Sequence, residues 1–183
     1  MATTVVIAWF LGGRLWVAHA GDSRLYRLRS GTLEQITRDH SFSQELVDAG
    51  MVSAEEARVL PAKNLVTKAL GATPELEPEV HDYDVQPEDI VLMCSDGLTE
   101  MVSPVEIGSL VVGCAGDVVE SARRLIDLAN EAGGRDNTSV ILVRVAAADV
   151  KPAPSRDSDS TSAATGTGSP VLAESAVREN QGA

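Results

Sequence analysis

Apolar and polar residues alternate from the start of the chain, and the alternation breaks at glycine pairs. Residues 4–11 and 14–20 read as two strands joined at Gly12-Gly13, a dipeptide suited to a two-residue hairpin. A third strand over 24–29 ends at Ser30-Gly31, and a fourth is expected at 33–37. The period then lengthens to that of a helix over 42–49, stopped by Gly50. Ser53-Ala-Glu-Glu56 and Ser103-Pro-Val-Glu106 have capping-box spacing: the serine accepts from the first turn and the glutamate reaches back. Strand alternation returns over 80–85, and 90–95 is apolar on both faces, which predicts a central strand. Over 117–132, Val118, Ala122, Leu125, Ile126 and Ala129 share one helical face before Gly133-Gly134 ends the run. A last strand is expected at 138–145. Consecutive strands, then helices, then more strands predict an α+β layered sandwich rather than a doubly wound parallel sheet.

From about residue 148 the composition turns to Ser, Thr, Ala, Gly and Pro without periodicity. The folded domain is therefore expected over 1–148, and 149–183 is expected to be a disordered tail. Charge sharpens this division. Residues 1–150 hold 12 basic and 23 acidic side chains, against 3 and 4 in the remainder, so nearly all of the net −12 belongs to the domain. Such a surface argues against nucleic acid and anionic membranes as partners. If it handles phosphate, bound cations must supply the positive charge. The opening Val5–Leu11 has no Lys or Arg before it, unlike a signal peptide. No run reaches the ~20 apolar residues that span a bilayer. Cys94 and Cys114 form no CxxC pair and read as small hydrophobes, so a reducing cytoplasm is the expected compartment.

Three aspartates carry the candidate chemistry. Asp22 in His19-Ala-Gly-Asp-Ser-Arg24, Asp96 in Val91-Leu-Met-Cys-Ser-Asp-Gly97 and Asp136 in Gly133-Gly-Arg-Asp-Asn-Thr138 each border a strand-like run. One Asp-Gly beyond a strand is an ordinary turn. Three carboxylates on separate strand ends can converge as the hard oxygen ligands that Mg²⁺ or Mn²⁺ requires. Gly97 would let the chain turn sharply behind Asp96. The histidines read as structural: His19 on a strand, His40 at a strand-to-helix junction, and His81 in a solvent-facing alternation. A covalent aspartyl-phosphate route would want a second Asp two residues after Asp96, where Leu98 stands.

Around these aspartates the wording is specific. Leu15-Trp-Val-Ala-His-Ala-Gly-Asp-Ser-Arg-Leu-Tyr26 resembles the metal-dependent protein phosphatase (PPM, type-2C) family, in its bacterial branch. The resemblance runs in order through Thr37-Arg-Asp-His40, Gln44–Gly50, Asn64–Gly71, Leu92–Thr99 and Gly134–Val140, covering roughly residues 3 to 146. It implies a layered α-β-β-α sandwich of two mostly antiparallel sheets flanked by helices, with 41–70 as a mobile flap beside the active site and Asn64 as its substrate-side residue. It also implies two Mn²⁺ or Mg²⁺ ions, with Asp96 and Asp136 as ligands of a catalytic metal, and Asp22 sharing a third metal with Asp96. Asn137 matches a residue that supports the site. The implied activity is hydrolysis of phosphoserine and phosphothreonine by a metal-bridging water, with phosphorylated proteins, the products of serine/threonine kinases, as partners. One part of the family pattern is missing: no Asp-Gly-x-Gly-Gly occurs anywhere in the chain. That departure predicts an N-terminally truncated domain with an unpaired edge near Val5, Ile7 and Trp9, and weak activity. The alternative is a noncatalytic, pseudophosphatase-like interaction module.

Overall fold

The computed structural model describes residues 1–147, except 58, 62, 64 and 74, together with the backbone of 174–180. Strands β1 (Val5–Leu11) and β2 (Arg14–Ala20) form the expected hairpin, with Leu11 opposite Arg14 across the glycine pair. Next come β3 (Arg24–Arg29) and β4 (Thr32–Gln35), then helices α1 (Phe42–Asp48) and α2 (Ala54–Ala57). Strands β5 (Glu79–Asp84) and β6 (Ile90–Cys94) lead to the single helical turn α3 (Asp96–Thr99) and helices α4 (Pro104–Gly113) and α5 (Val118–Glu131). Strands β7 (Thr138–Arg144) and β8 (Glu174–Asn180) complete the order.

Among the described residues the strands make two antiparallel sheets, one ordered β1-β2-β5 and the other β4-β3-β6-β7-β8. Strand alternation divides the apolar side chains between two interfaces. Leu15, Val17, Leu25, Val85, Val91 and Val145 are buried in one cluster, joined by Val6, Phe10, Tyr83 and Met93; it lies between the sheets. The neighbours of these residues in β3, β6 and β7 (Tyr26, Leu28, Leu92, Val140, Leu142) point the other way, against Leu98, Ile107, Val111, Leu125 and Ala129 of the helices. β6 is central, as its two apolar faces predicted. Its odd and even residues feed different cores.

The layered α+β sandwich is thus present, with helices packed on the outer face of the five-stranded sheet. The outer face of the three-stranded sheet carries no such helix among the described residues. Ile7, Trp9, Leu11, Trp16 and Val80 stand exposed there, and β1 is an edge strand.

The fold departs from the sequence pattern in three places. β4 stops before 37 because the N–H groups of Ile36 and Thr37 both turn to the Leu25 carbonyl (2.8 and 3.4 Å), while Thr37 Oγ1 accepts from Leu25 N–H at 2.9 Å. Residues 96–99 form a helical turn that the pattern did not predict. Finally, 174–180 lie within the stretch expected to be disordered, yet they pair along the whole of β7, from Thr138 opposite Asn180 to Arg144 opposite Glu174. The free N–H and C=O groups of a sheet edge are a template for such pairing whatever the composition of the added strand. The rest of 149–183 lies outside the described residues, as does Asn64.

Candidate metal centre

Each aspartate owes its place to a different local device. Asp22 follows Gly21 at the end of β2. Gly21 has φ of +113°, and a Cβ there would overlap the side chain of Thr4, so the turn that presents Asp22 needs glycine. Asp96 is the first residue of α3, directly after its N-cap Ser95, which follows the last residue of β6. Gly97 is buried, and a Cβ on it would overlap the Asn137 carbonyl oxygen and stand 3.1 Å from Thr138 Oγ1. The glycine therefore lets the Asp96 turn lie directly against the Asp136–Asn137 loop. Ser95 reinforces this contact: its Oγ donates to the Asn137 carbonyl (3.2 Å) and accepts from Ser139 N–H (3.1 Å). Asp136 Oδ1 accepts from Asn137 N–H at 2.7 Å.

Two of these carboxylates, Asp22 and Asp96, are shifted by their surroundings. Burial first, and then the charge of Asp96, push the Asp22 carboxyl above the ordinary range. Asp96 is raised by burial, then by Asp136 and then by Glu100. Asp96 thus lies within electrostatic reach of both Asp22 and Asp136. Clustered carboxylates of this kind are relieved by a bound cation, and hard divalent ions suit an all-oxygen donor set. Among the described residues the three aspartates do not bring their ligand atoms within 4.8 Å of one another, so they suit Mn²⁺ or Mg²⁺ by donor type rather than as a closed ligand set. Asp22 and Asp96 also line one open cleft of about 560 Å³, whose other walls include Arg24, Asp39, Ser41, Lys63 and Ser103. The segment expected as the flap supplies Ser41 and Lys63, and the Ser41–Val66 bridge closes it on itself.

Sequence reasoning assigned no role to Arg24 and Asp39. The Arg24 guanidinium grips Asp39 at both oxygens, Nε to Oδ1 at 2.9 Å and Nη2 to Oδ2 at 2.7 Å. Burial lowers the Arg24 pKa, yet the Asp39 and Tyr26 contacts outweigh it and the group is held above its ordinary value. This cation is therefore committed to the cleft wall. The two residues stand in motifs quoted above, but their pairing across 15 positions leaves no mark in either motif. Cys94, at the end of β6, takes no part: burial pushes its thiol up to about 12.

Comparison with known proteins bears on the family and the fold. A family model described as Stage II sporulation protein E (SpoIIE) matches residues 12–146. The serine/threonine protein phosphatase PstP of Mycobacterium tuberculosis is 43% identical over 145 residues, which is 79% of this chain and 28% of PstP. A serine/threonine phosphatase, stp, of Listeria welshimeri is 39% identical over 143 residues, 78% of this chain and 56% of its own length. The crystal structure of the M. tuberculosis phosphatase PstP/Ppp superposes with a TM-score of 0.74 at 41% identity, covering 78% of this chain and 60% of that one. A PstP catalytic domain in complex with two manganese ions gives 0.72 at 42% identity, with 80% and 60% covered. The chain thus spans less than two thirds of these relatives' own lengths.

Proposed function

The chain belongs to the metal-dependent (PPM, type-2C) protein phosphatase family, and from that premise we propose that it is the metal-binding portion of a serine/threonine protein phosphatase, acting on phosphoserine and phosphothreonine in proteins. The observation that carries this reading is the pair Asp22 and Asp96 on the wall of one open cleft, close enough for the charge of Asp96 to raise Asp22, with the charge of Asp136 raising Asp96 in turn. When bound, Mn²⁺ or Mg²⁺ neutralises phosphate charge and acidifies a water for in-line attack. Asp96 and Asp136 hold the catalytic ion, and Asp22 with Asp96 holds a further one. Gly97 and Asn137 keep the two loops at contact distance. Ser41 and Lys63, the first and last flap residues of the cleft wall, meet the phosphoprotein, and Asn64 keeps its substrate-side role from the family resemblance alone.

The reading extends to a cytoplasmic signalling role opposite serine/threonine kinases. It is supported by the acidic domain and by the nature of the relatives, and no helix among the described residues is long and apolar enough to cross a membrane. Because the sequence contains no Asp-Gly-x-Gly-Gly, most of each ion's coordination shell is left to water, and turnover by these 183 residues alone is low. The test is Mn²⁺-dependent hydrolysis of p-nitrophenyl phosphate and of a phosphothreonine peptide, by this chain and by a version extended with an Asp-Gly-x-Gly-Gly segment. The extended version is expected to be faster by at least ~10³-fold, since charge stabilisation worth several kcal/mol is restored. Asp96→Ala and Asp136→Ala should each abolish that gain. No hydrolysis by either version would leave a noncatalytic module.

A further inference from the structure

All three histidines of the chain gather around one glutamate. Glu79, at the start of β5, has His40 Nε2 3.1 Å from one oxygen, and His81 Nε2 and His19 Nε2 at 3.8 and 4.0 Å from the other. The His19 and His40 rings lie parallel within 1°, with centroids 4.7 Å apart, and both residues are buried. Ligand atoms of His19, His40 and Glu79 fall within 4.8 Å of one another, a spacing that would suit a transition metal. Two of these nitrogens are otherwise engaged, however, while His40 Nε2, though 3.1 Å from Glu79, makes no well-formed hydrogen bond. Gly21 N–H donates to His40 Nδ1 at 3.1 Å, so in the neutral ring the proton sits on Nε2, the atom facing Glu79. Ligation through Nε2 would then require an imidazolate or the loss of the Gly21 bond. His19 Nε2 lies 2.8 Å from the Arg38 carbonyl, to which it can donate.

The geometry points to a different role: His40 is a positioning residue that clamps the peptide presenting Asp22. Its side-chain Nδ1 takes the Gly21 N–H, and its own backbone N–H donates to the Gly21 carbonyl at 2.9 Å. One residue thus holds Gly21 at both polar groups, immediately before the aspartate and at a φ that only glycine adopts freely. Glu79 faces the Nε2 end of the ring and so favours the tautomer that leaves Nδ1 free to accept. The His40 carbonyl in turn accepts from Thr67 N–H at 2.9 Å, and α1 begins two residues after His40. The same residue therefore ties the Asp22 turn to both ends of the flap segment, so that a movement of that segment is felt at a carboxylate of the cleft.

Two conservative substitutions separate the two ends of the ring. H40N keeps an acceptor near the Nδ1 position, and H40Q reaches toward Glu79 but withdraws that acceptor. A lost hydrogen bond of ordinary net strength corresponds to about a three- to tenfold change. H40Q is expected to speed amide hydrogen exchange at Gly21 by about that factor or more, while H40N stays near wild type. Only the metal readout rests on the proposed role of Asp22. By calorimetry, H40Q should weaken Mn²⁺ binding by about three- to tenfold, and in a D22N background H40Q and His40 should bind Mn²⁺ alike. Gly21 exchange unchanged in H40Q, or equally fast in H40N and H40Q, overturns the clamp. If D22N by itself leaves Mn²⁺ affinity unchanged, the metal role of Asp22 falls instead, and the exchange rates alone decide for or against His40.

Discussion

At the scale of single residues, the centre depends on close approach as much as on charge. Gly97 illustrates this: any side chain there meets the Asn137 carbonyl, so Gly97→Ala must drive the Asp96 turn and the Asp136 loop apart. We expect a loss of about 1–3 kcal/mol in urea unfolding, typical of overpacking, with Mn²⁺ affinity falling in parallel. His19 makes a second prediction. It is 2% exposed, and burial holds its pKa below the ordinary histidine value, against the pull of the Arg38 carbonyl. A histidine whose pKa is depressed on folding contributes stability above its unfolded value near 6.5, and loses it as pH falls through the lower folded value. Melting temperatures between pH 7 and 5 should therefore fall more steeply in wild type than in His19→Gln. The three aspartates could be picked out of the sequence because each stands in a compact motif, and in the structure the charge of Asp96 reaches Asp22 and that of Asp136 reaches Asp96. The clamp through His40 and the Arg24–Asp39 pair were not, because both join residues 15 or more positions apart and local spacing carries no record of such partners.

Among the elements, one motif occurs twice with unequal consequences. Ser103 and Glu106 make a full capping box on α4, whose Ile107 and Val111 are buried in the main helical core. Ser103→Ala should cost about 1 kcal/mol, read as a drop of roughly 2–4 °C in melting temperature. Ser53 and Glu56 make the same reciprocal bonds at α2, but that helix buries only Ala57. Ser53→Ala should loosen the flap segment locally, seen as faster amide exchange there, with little change in global melting. Periodicity and caps located α4, α5 and the paired strands within a residue or two because those signals are local. They missed β8, which pairs along the edge of β7.

For the molecule as a whole, metal binding and stability are coupled. The raised Asp22 and Asp96 carboxyls oppose folding when ionised, and a cation bound at them would relieve that opposition, so Mn²⁺ is expected to favour the folded chain over the unfolded one. At a hundredfold excess over Kd that preference is worth about 2.7 kcal/mol, or roughly 5–10 °C for a chain of this size. Differential scanning calorimetry should show that rise in wild type and none in Asp96→Ala. The outer face of the small sheet sits apart from this linkage. Trp9 and Trp16 face each other across the β1–β2 hairpin there, 61% and 39% exposed, and they are the only two tryptophans of the chain. The indole fluorescence of this protein is thus a private signal of one surface. Loading the cleft with Mn²⁺ leaves the emission maximum where it is, whereas anything that settles over the hairpin, whether more polypeptide or a second copy, moves it toward the blue.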